Sequence, residues 1–260
     1  MEMNINGTQI AVKEYGTGQE HCLLLHGNRD RKEVFESLAN QMAEKYHIVT
    51  MDYRGHGQSK VSISGYDYSQ FVADIDAVLE ALDMHCVNMI GHSLGGVLAV
   101  LYQQKYPKKV KQLVLLGTSP YFKSSFQRPK RGEAITPQKI KETNEAAEPY
   151  FFSAGHEQVK KFILANWEQL PAYVHEKMIA MGHTDISPLL EKIMCRVLLV
   201  IGDLDKICTI DTAEEMKQKM KEARLAVIKD ADHYMFMEKP LETAQQIQLF
   251  LEDSGKKELL

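Results

Sequence analysis

Short, continuously apolar runs alternate along the chain with longer stretches in which apolar residues recur at helical spacing. Each run ends in or near a turn residue, and the runs cover 22–27, 47–55, 87–92, 110–117, 196–203 and, more weakly, 224–233. The helical patterns cover 32–46, 69–83, 94–107, 211–223 and 240–253. Strands that are apolar throughout are typical of a parallel sheet buried on both faces. The alternation predicts a doubly wound α/β fold.

The N-terminal stretch 4–16 has a different pattern, because polar and apolar residues alternate in it. It also contains the dipeptide Asn6-Gly7, a strong signal for a two-residue hairpin turn. We therefore expect an antiparallel hairpin at one edge of the sheet. Together with the six runs it gives a mostly parallel sheet of about eight strands.

Residues 118–194 interrupt the alternation, since no strand-like run occurs there. The segment holds six of the eight prolines and the only tryptophan. Its stretches 149–155 and 166–174 are predicted as short helices with aromatic faces that prolines end. A structureless loop of this length is improbable in a compact domain. We expect a core made of 1–117 and 195–260, with 118–194 as a helical insertion covering one end of the sheet.

Composition and charge exclude several classes of function. The chain is 44% hydrophobic and 25% charged, and its net charge of −4 leaves no basic surface for nucleic acid. The N-terminus has no signal-peptide pattern, and no apolar stretch is long enough to cross a bilayer. The four cysteines form no C-x-x-C pair and are predicted to be buried free thiols. We expect a cytoplasmic protein without a nucleic-acid or membrane partner.

The turn between the run 87–92 and the following helix carries the first candidate chemistry. A phosphate loop would need lysine after Gly95-Gly96, and the dinucleotide fingerprint fails at His92 and Ser93. The residues 91–95, Gly-His-Ser-Leu-Gly, instead match G-x-S-x-G. In that turn a strained backbone holds the serine hydroxyl above the sheet.

A serine hydroxyl needs a base, and the base needs an orienting acid, in the chain order serine, acid, histidine. Asp203 and Asp205 follow the run 196–203, and His233 ends the last run. An oxyanion hole needs backbone N–H donors. Leu94, directly after the serine, supplies one, and Asn28, after the first apolar run, is predicted to supply the other.

With these parts in place, essentially the whole chain resembles the α/β-hydrolase superfamily. The matching motifs are His26-Gly27-Asn28, the D-x-R-G-x-G-x-S turn at 52–59, the serine turn at 91–95 and Gly-x-x-Asp at 202–205. The resemblance implies a helical lid inserted after the sixth strand, where 118–194 falls. It also implies that Asp205, three residues after Gly202, is the acid, and that Arg54 and His56 are architectural.

Serine at the nucleophile position argues against the haloalkane dehalogenases and epoxide hydrolases of this superfamily, which use aspartate. We expect a carboxylesterase-type enzyme that cleaves small esters, lactones or thioesters through an acyl-enzyme on Ser93. Its partners are an ester substrate and water, and it needs no metal or organic cofactor, since the chain lacks HExxH and any compact His/Cys cluster. Two alternatives stay open: a C–C bond hydrolase or lyase on the same triad, and a low-turnover small-molecule receptor. His92, where the C–C hydrolases have asparagine, favours the esterase.

The aromatic residues of the insertion suggest an apolar substrate group. Candidate substrate-binding residues are Tyr121, Phe122, Phe151 and Trp167, although the sequence does not separate pocket residues from the insertion's own core. His92 is predicted to pack beside the serine turn rather than to line the pocket.

Overall fold

The computed structural model describes residues 1–121, 129–153 and 155–253. Eight strands form one sheet in the order β1-β2-β4-β3-β5-β6-β7-β8. Strands β3 to β8 pair in parallel, whereas β2 is antiparallel to both of its neighbours. The strands are β1 (Glu2–Ile5), β2 (Thr8–Tyr15), β3 (Glu20–Leu25), β4 (Tyr46–Met51), β5 (Val87–His92), β6 (Val110–Leu116), β7 (Arg196–Gly202) and β8 (Ala223–Ile228). This doubly wound, mostly parallel sheet of eight strands confirms the predicted fold class.

The edge hairpin has the predicted turn. Asn6 and Gly7 have φ of 46° and 78°, and Ile5 pairs with Thr8 across them. Positive φ at both central residues gives the turn whose twist matches that of the flanking strands, which is why Asn-Gly is favoured there.

Helices cover both faces of the sheet because successive residues of each strand point to opposite sides. Leu23 and Leu25 of β3 join one apolar core, and Cys22 and Leu24 join the other. Nine helices lie in the described residues: α1 (Glu36–Met42), α2 (Tyr68–Ala81), α3 (Leu94–Lys105), α4 (Pro137–Phe151), α5 (Glu157–Gln169), α6 (Ala172–Met181), α7 (Ile210–Lys219), α8 (Met235–Glu238) and α9 (Pro240–Glu252). The first core includes side chains of α2, α3 and α7, and the second includes side chains of α1, α8 and α9.

Polar residues fix where several helices begin. Asp67 caps α2 by accepting a hydrogen bond from the Gln70 N–H at 2.9 Å. Thr136 caps α4 in the same way, and Pro137 occupies the first helical position, where its missing N–H has no consequence. Each cap satisfies an N–H that has no partner inside its helix.

Several strands end earlier than the apolar runs that predicted them. β4 stops at Met51 and β8 at Ile228, so 52–55 and 229–233 are loops. The runs continue past the strands because these loops are themselves largely buried. Since the carboxyl ends of parallel strands meet at one edge, the loops after β3, β5, β7 and β8 converge there.

The segment between β6 and β7 contains three helices, α4 to α6, and no strand in its described part. Side chains of α4 and α5 join the core beside α1, whereas those of α6 join the opposite core. One expectation was wrong: Pro149 does not end a helix but lies inside the last turn of α4. Proline has no N–H, so this turn lacks the hydrogen bond that residue 149 would otherwise donate.

All four cysteines are free, as expected. Cys22 and Cys208 are buried and Cys195 is half-buried, but Cys86 is exposed, contrary to the prediction. Cys86 directly precedes β5 and belongs to the connection from α2 rather than to the strand.

Candidate active site

Ser93 lies in a sharp turn between β5 and α3, in a backbone conformation that is rare for a residue with a side chain. Its φ is 52° and its ψ is −114°, and its N–H donates to the Leu116 carbonyl at 2.9 Å. The flanking glycines are required by space. A Cβ on Gly91 would lie 2.4 Å from the Gly95 carbonyl oxygen, and one on Gly95 would lie 2.0 Å from that of Leu25. The turn therefore holds a strained, partly exposed serine at the carboxyl edge of the sheet.

His233 and Asp205 form a buried pair beside this turn. His233 Nδ1 lies 2.9 Å from Asp205 Oδ2, and both side chains are almost fully buried. The other carboxylate oxygen, Oδ1, accepts the N–H groups of Ile207 and Cys208 at 2.7 and 2.9 Å. Because a carboxylate only accepts hydrogen bonds, Nδ1 of the imidazole carries the proton and Nε2 is left with a lone pair.

That lone pair has no hydrogen-bond partner in the described part of the chain, although Nε2 is buried. His233 and Ser93 both line one cavity. Gly117 lies beneath the imidazole, and a Cβ there would come within 3.2 Å of its ring. A buried imidazole with an oriented tautomer and a free nitrogen has the chemistry of a general base.

Asp203, the other acid after β7, points elsewhere. Its Oδ1 is 3.4 Å from the Ala231 N–H, and its Oδ2 is 3.5 Å from the Lys229 ammonium. Asp232, near the histidine in sequence, instead accepts hydrogen bonds from the N–H and hydroxyl of Ser153 at 2.6 and 2.8 Å. Of these three carboxylates, only that of Asp205 bonds the imidazole.

The two residues whose backbone N–H groups are proposed for the oxyanion hole line the same cavity as Ser93. Asn28 and Leu94 both line the cavity. In the described residues, neither N–H donates to a protein acceptor. The Asn28 side-chain oxygen is also buried without a partner there. Unused donors on either side of a nucleophile are what a developing oxyanion requires.

His92 packs against His233 and also lines the cavity. Its ring packs 4.7 Å from that of His233, and its Nε2 donates to the His233 carbonyl at 3.0 Å. Burial and the neighbouring imidazole lower the pKa of His92 well below its ordinary value, so the ring is neutral. It also lines the cavity floor, so it combines the packing role that was expected with a pocket position.

The cavity above Ser93 has a volume of about 270 Å³. Four of the apolar residues that line it are Val97, Phe151, Trp167 and Met178. Three of the four lie on α4, α5 and α6, so the segment between β6 and β7 supplies much of the wall. The Phe151 ring meets the His233 imidazole edge to face at 5.1 Å.

The four predicted substrate-binding residues have different outcomes. Phe151 and Trp167 line the cavity. Tyr121 is half-buried and is not one of the described residues that line it. Phe122 lies outside the described residues.

The sequence analysis did not predict a charged group in the cavity wall. The two residues after Asn28, Arg29 and Asp30, form this group. Arg29 is only 7% exposed and donates to Asn144 Oδ1 at 2.7 Å. Asp30 is fully buried and accepts hydrogen bonds from the Tyr234 hydroxyl and the Trp167 indole N–H at 3.2 and 3.3 Å. Burial raises the pKa of Asp30 to about 7. The sequence signal from which this group could have been predicted is a charged dipeptide in the loop after a buried strand.

The D-x-R-G-x-G turn has the architectural role that was expected of it. Arg54 makes a two-pronged ion pair with Asp74 of α2 at 2.7 and 2.8 Å, and both side chains are buried. Neither Arg54 nor His56 is among the described residues that line the cavity. This ion pair fastens the loop after β4 to α2.

One group of three side chains in the described residues has the spacing of metal ligands, and it overlaps the histidine–aspartate pair. Asp205, Cys208 and His233 offer donor atoms within 4.8 Å of one another. These atoms are already engaged, since the Cys208 thiol lies 2.9 Å from the Gly117 carbonyl oxygen and Nδ1 of the histidine is bonded to the carboxylate. A metal here would have to break the bond that orients the imidazole.

Comparison with known proteins shows the family to which the chain belongs. Residues 21–240 match the model of the alpha/beta hydrolase fold family. The chain is 26% identical over 268 residues to a putative 2-succinyl-6-hydroxy-2,4-cyclohexadiene-1-carboxylate synthase of Bacillus subtilis, covering 90% of this chain and 92% of the relative. It is 27% identical over 278 residues to a proline iminopeptidase of Pestalotiopsis fici, covering 96% and 98%. The structure of an esterase from Exiguobacterium antarcticum superposes with a TM-score of 0.80 at 25% identity, covering 96% of this chain and 98% of that one.

No helix in the described ranges has the length and apolar character to cross a membrane.

Proposed function

Because the chain belongs to the α/β-hydrolase family and is a hydrolytic enzyme of the esterase type, we propose that it cleaves small carboxylic esters, lactones or thioesters through an acyl-enzyme on Ser93. One observation carries the proposal. Asp205 orients His233, the buried Nε2 of His233 has no hydrogen-bond partner among the described residues, and His233 and Ser93 line the same cavity.

In the first half-reaction, Ser93 Oγ attacks the substrate carbonyl while His233 Nε2 takes the hydroxyl proton. Asp205 keeps the tautomer that leaves Nε2 free, and it stabilises the imidazolium that forms. The N–H groups of Asn28 and Leu94 stabilise the negative charge on the carbonyl oxygen. The imidazolium then gives its proton to the leaving alcohol or thiol, and the acyl group remains on Ser93.

In the second half-reaction, water replaces the alcohol. His233 Nε2 removes a proton from the water, the resulting hydroxide attacks the acyl carbon, and the proton returns to Ser93 Oγ. The products are a carboxylic acid and an alcohol, and the enzyme regains its starting form. Every proton and electron pair is accounted for by the three side chains and water, so the proposal needs no metal or organic cofactor.

The shape of the cavity supports a small substrate with an apolar part. A volume of about 270 Å³ lies at the lower end of known ligand pockets. We take residues 118–194 as a lid, because Phe151, Trp167 and Met178 from this segment line the cavity of Ser93. Excluding water there strengthens the electrostatic interactions with the oxyanion.

The relatives leave the substrate open, since their names describe a synthase and a peptidase besides an esterase. The synthase makes a lyase on the same three side chains the main rival, and a low-turnover receptor is the second. A lyase needs the base but no acyl-enzyme, and a receptor releases its product slowly or not at all.

The test is a panel of 4-nitrophenyl esters of increasing acyl length, together with lactones and acyl thioesters. We expect many turnovers per chain on some of these, and a loss of at least about 10³-fold in kcat for Ser93→Ala. Ser119 is the matched control, because it also lines the cavity and its hydroxyl donates to the Tyr121 carbonyl. Ser119→Ala should stay within about tenfold of the unmodified protein. Wild-type turnover in Ser93→Ala, or a single turnover in the native chain, contradicts the proposal.

A further inference from the structure

Arg29 presents a buried positive charge to the cavity of Ser93. It directly follows Asn28, in a left-handed conformation with φ of 65°. The side chain is 7% exposed and lines the same cavity as Ser93 and His233. Burial lowers its pKa to about 10, so the guanidinium is still charged at neutral pH.

The partners of Arg29 do not neutralise it. Nη1 donates to the neutral Asn144 side chain at 2.7 Å, and the guanidinium stacks 3.9 Å from the Trp167 ring. In the described ranges, no carboxylate oxygen lies within 4 Å of it. The neighbouring Asp30 is occupied by Tyr234 and Trp167.

A buried guanidinium without a directly bonded counter-ion is unfavourable, because the attraction of the nearby Asp30 only partly offsets desolvation of the charge. Its remaining donors are available, since a guanidinium has five N–H donors and one nitrogen is bonded here. Arg29 lines the cavity, and among the described residues no nitrogen of its guanidinium is both fully enclosed and unpartnered. Planar, paired donors of this kind match the two oxygens of a carboxylate.

We propose that Arg29 binds a carboxylate of the substrate, so that the preferred ester carries an acid group in addition to the bond that is cleaved. The inference rests on the ester hydrolysis proposed above. Arg29 adjoins Asn28, whose N–H contacts the reacting carbonyl oxygen in that proposal, so the two recognition points are neighbours on the chain. The substrate class is a half-ester of a dicarboxylic acid, or an ester whose alcohol part bears the carboxylate.

The test compares esters that differ in charge and share their size. 4-Nitrophenyl hemiglutarate carries a carboxylate on the acyl part, and 4-nitrophenyl pentanoate is its neutral match. 4-Acetoxybenzoate carries the carboxylate on the alcohol part, and 4-carbamoylphenyl acetate is the neutral match. We expect the native protein to favour one charged ester over its match by at least about tenfold in kcat/KM, and the favoured pair identifies the side of the carboxylate.

Arg29→Gln should reduce that charged-to-neutral ratio by about 10- to 100-fold, and Arg29→Lys by less, because lysine keeps the charge but loses the planar fork. Arg31→Gln is the matched control. It removes the same charge from the same loop, but Arg31 bonds Gln169 and is not among the described residues that line the cavity. The ratio should not change in this variant.

The outcomes separate the two proposals. If no ester is cleaved in a Ser93-dependent way, the proposed function fails. If neutral esters are cleaved but the ratio is the same in Arg29→Gln and the native protein, the carboxylate site fails and the hydrolase stands. Should Arg29→Gln not fold, inhibition of the native protein decides: glutarate should compete with substrate and the neutral glutaramide should not, and equal effects of the two contradict the site.

Discussion

The Nδ1 atom of His233 lies 2.9 Å from Oδ2 of Asp205, although 28 positions separate the two residues. Two parallel strands, β7 and β8, bring them together because both side chains follow the carboxyl ends of neighbouring strands. Two backbone N–H groups hold the other carboxylate oxygen, so the carboxylate cannot turn away from the imidazole. This arrangement leads to a test of which aspartate orients the base.

Asp205→Asn should preserve the fold but lower kcat on esters by about 10³- to 10⁴-fold. The asparagine oxygen still accepts the Ile207 and Cys208 N–H groups, which turns its NH₂ group toward His233. Nδ1 must then accept, Nε2 carries the proton, and the base is lost. Asp203→Asn, which alters a carboxylate that contacts Lys229 instead, should lower kcat by less than about tenfold. The reverse pattern in kcat would assign the role to Asp203.

The strain at Ser93 should be measurable as stability. Residues other than glycine held at such backbone angles cost about 1–3 kcal/mol. Ser93→Gly relieves the strain, whereas Ser93→Ala keeps it, and both remove the hydroxyl. We expect both variants to be inactive and Ser93→Gly to be more stable than Ser93→Ala by about 1 kcal/mol in urea unfolding, after the entropic penalty of glycine is subtracted. Equal stability, or a more stable alanine variant, contradicts a strained turn.

Asp30 should make the folded state less stable as the pH rises. Burial raises its pKa from the ordinary 3.8 to about 7, against the opposing effects of Tyr234, Arg29, Trp167 and His233. Between these pH values the folded protein holds a proton that the unfolded chain has lost. Stability is therefore lost as the pH rises from about 4 to 7, by at most ~4 kcal/mol.

Asp30→Asn removes this dependence, because asparagine keeps an acceptor oxygen for Tyr234 and Trp167 but has no proton to lose. The free energy of unfolding of the variant, relative to the native protein, should rise by about 1–3 kcal/mol between pH 5 and pH 8. A difference that stays constant over this range would show that Asp30 does not titrate there.

The part of the cavity wall that contains Phe151 should control which acyl-chain length the enzyme prefers in its ester substrate. Phe151→Ala removes a ring that contacts His233 and lines the cavity, so the preferred 4-nitrophenyl ester should become longer by several carbons. Phe152→Ala is the matched control, since its ring stacks on Tyr234 and is not among the described cavity residues. Both variants should lose roughly 3 kcal/mol of stability. A shift in acyl preference in both, or in neither, contradicts the lid.

The sequence predicted the sheet, the hairpin and the serine turn because each depends on local patterns. Two glycines within two residues of Ser93 mark the serine turn, whereas the choice of Asp205 over Asp203 rested on the family resemblance. The Arg29 environment was not predicted, because it depends on contacts made over long stretches of chain. Its partner Asn144 is 115 positions away, and the indole that bonds Asp30 is 137 positions away. No local periodicity reports such contacts.

Covalent labelling is the most direct test of whether Ser93 is the nucleophile. The native protein is treated with a fluorophosphonate, and the adduct is located by mass spectrometry of the intact chain and its peptides. We expect one adduct per chain, on the peptide that contains Ser93, with loss of ester turnover in proportion to labelling and no adduct in Ser93→Ala. Ester turnover that persists in a fully labelled protein, or an adduct on another residue that accounts for the lost activity, contradicts a nucleophilic role for Ser93.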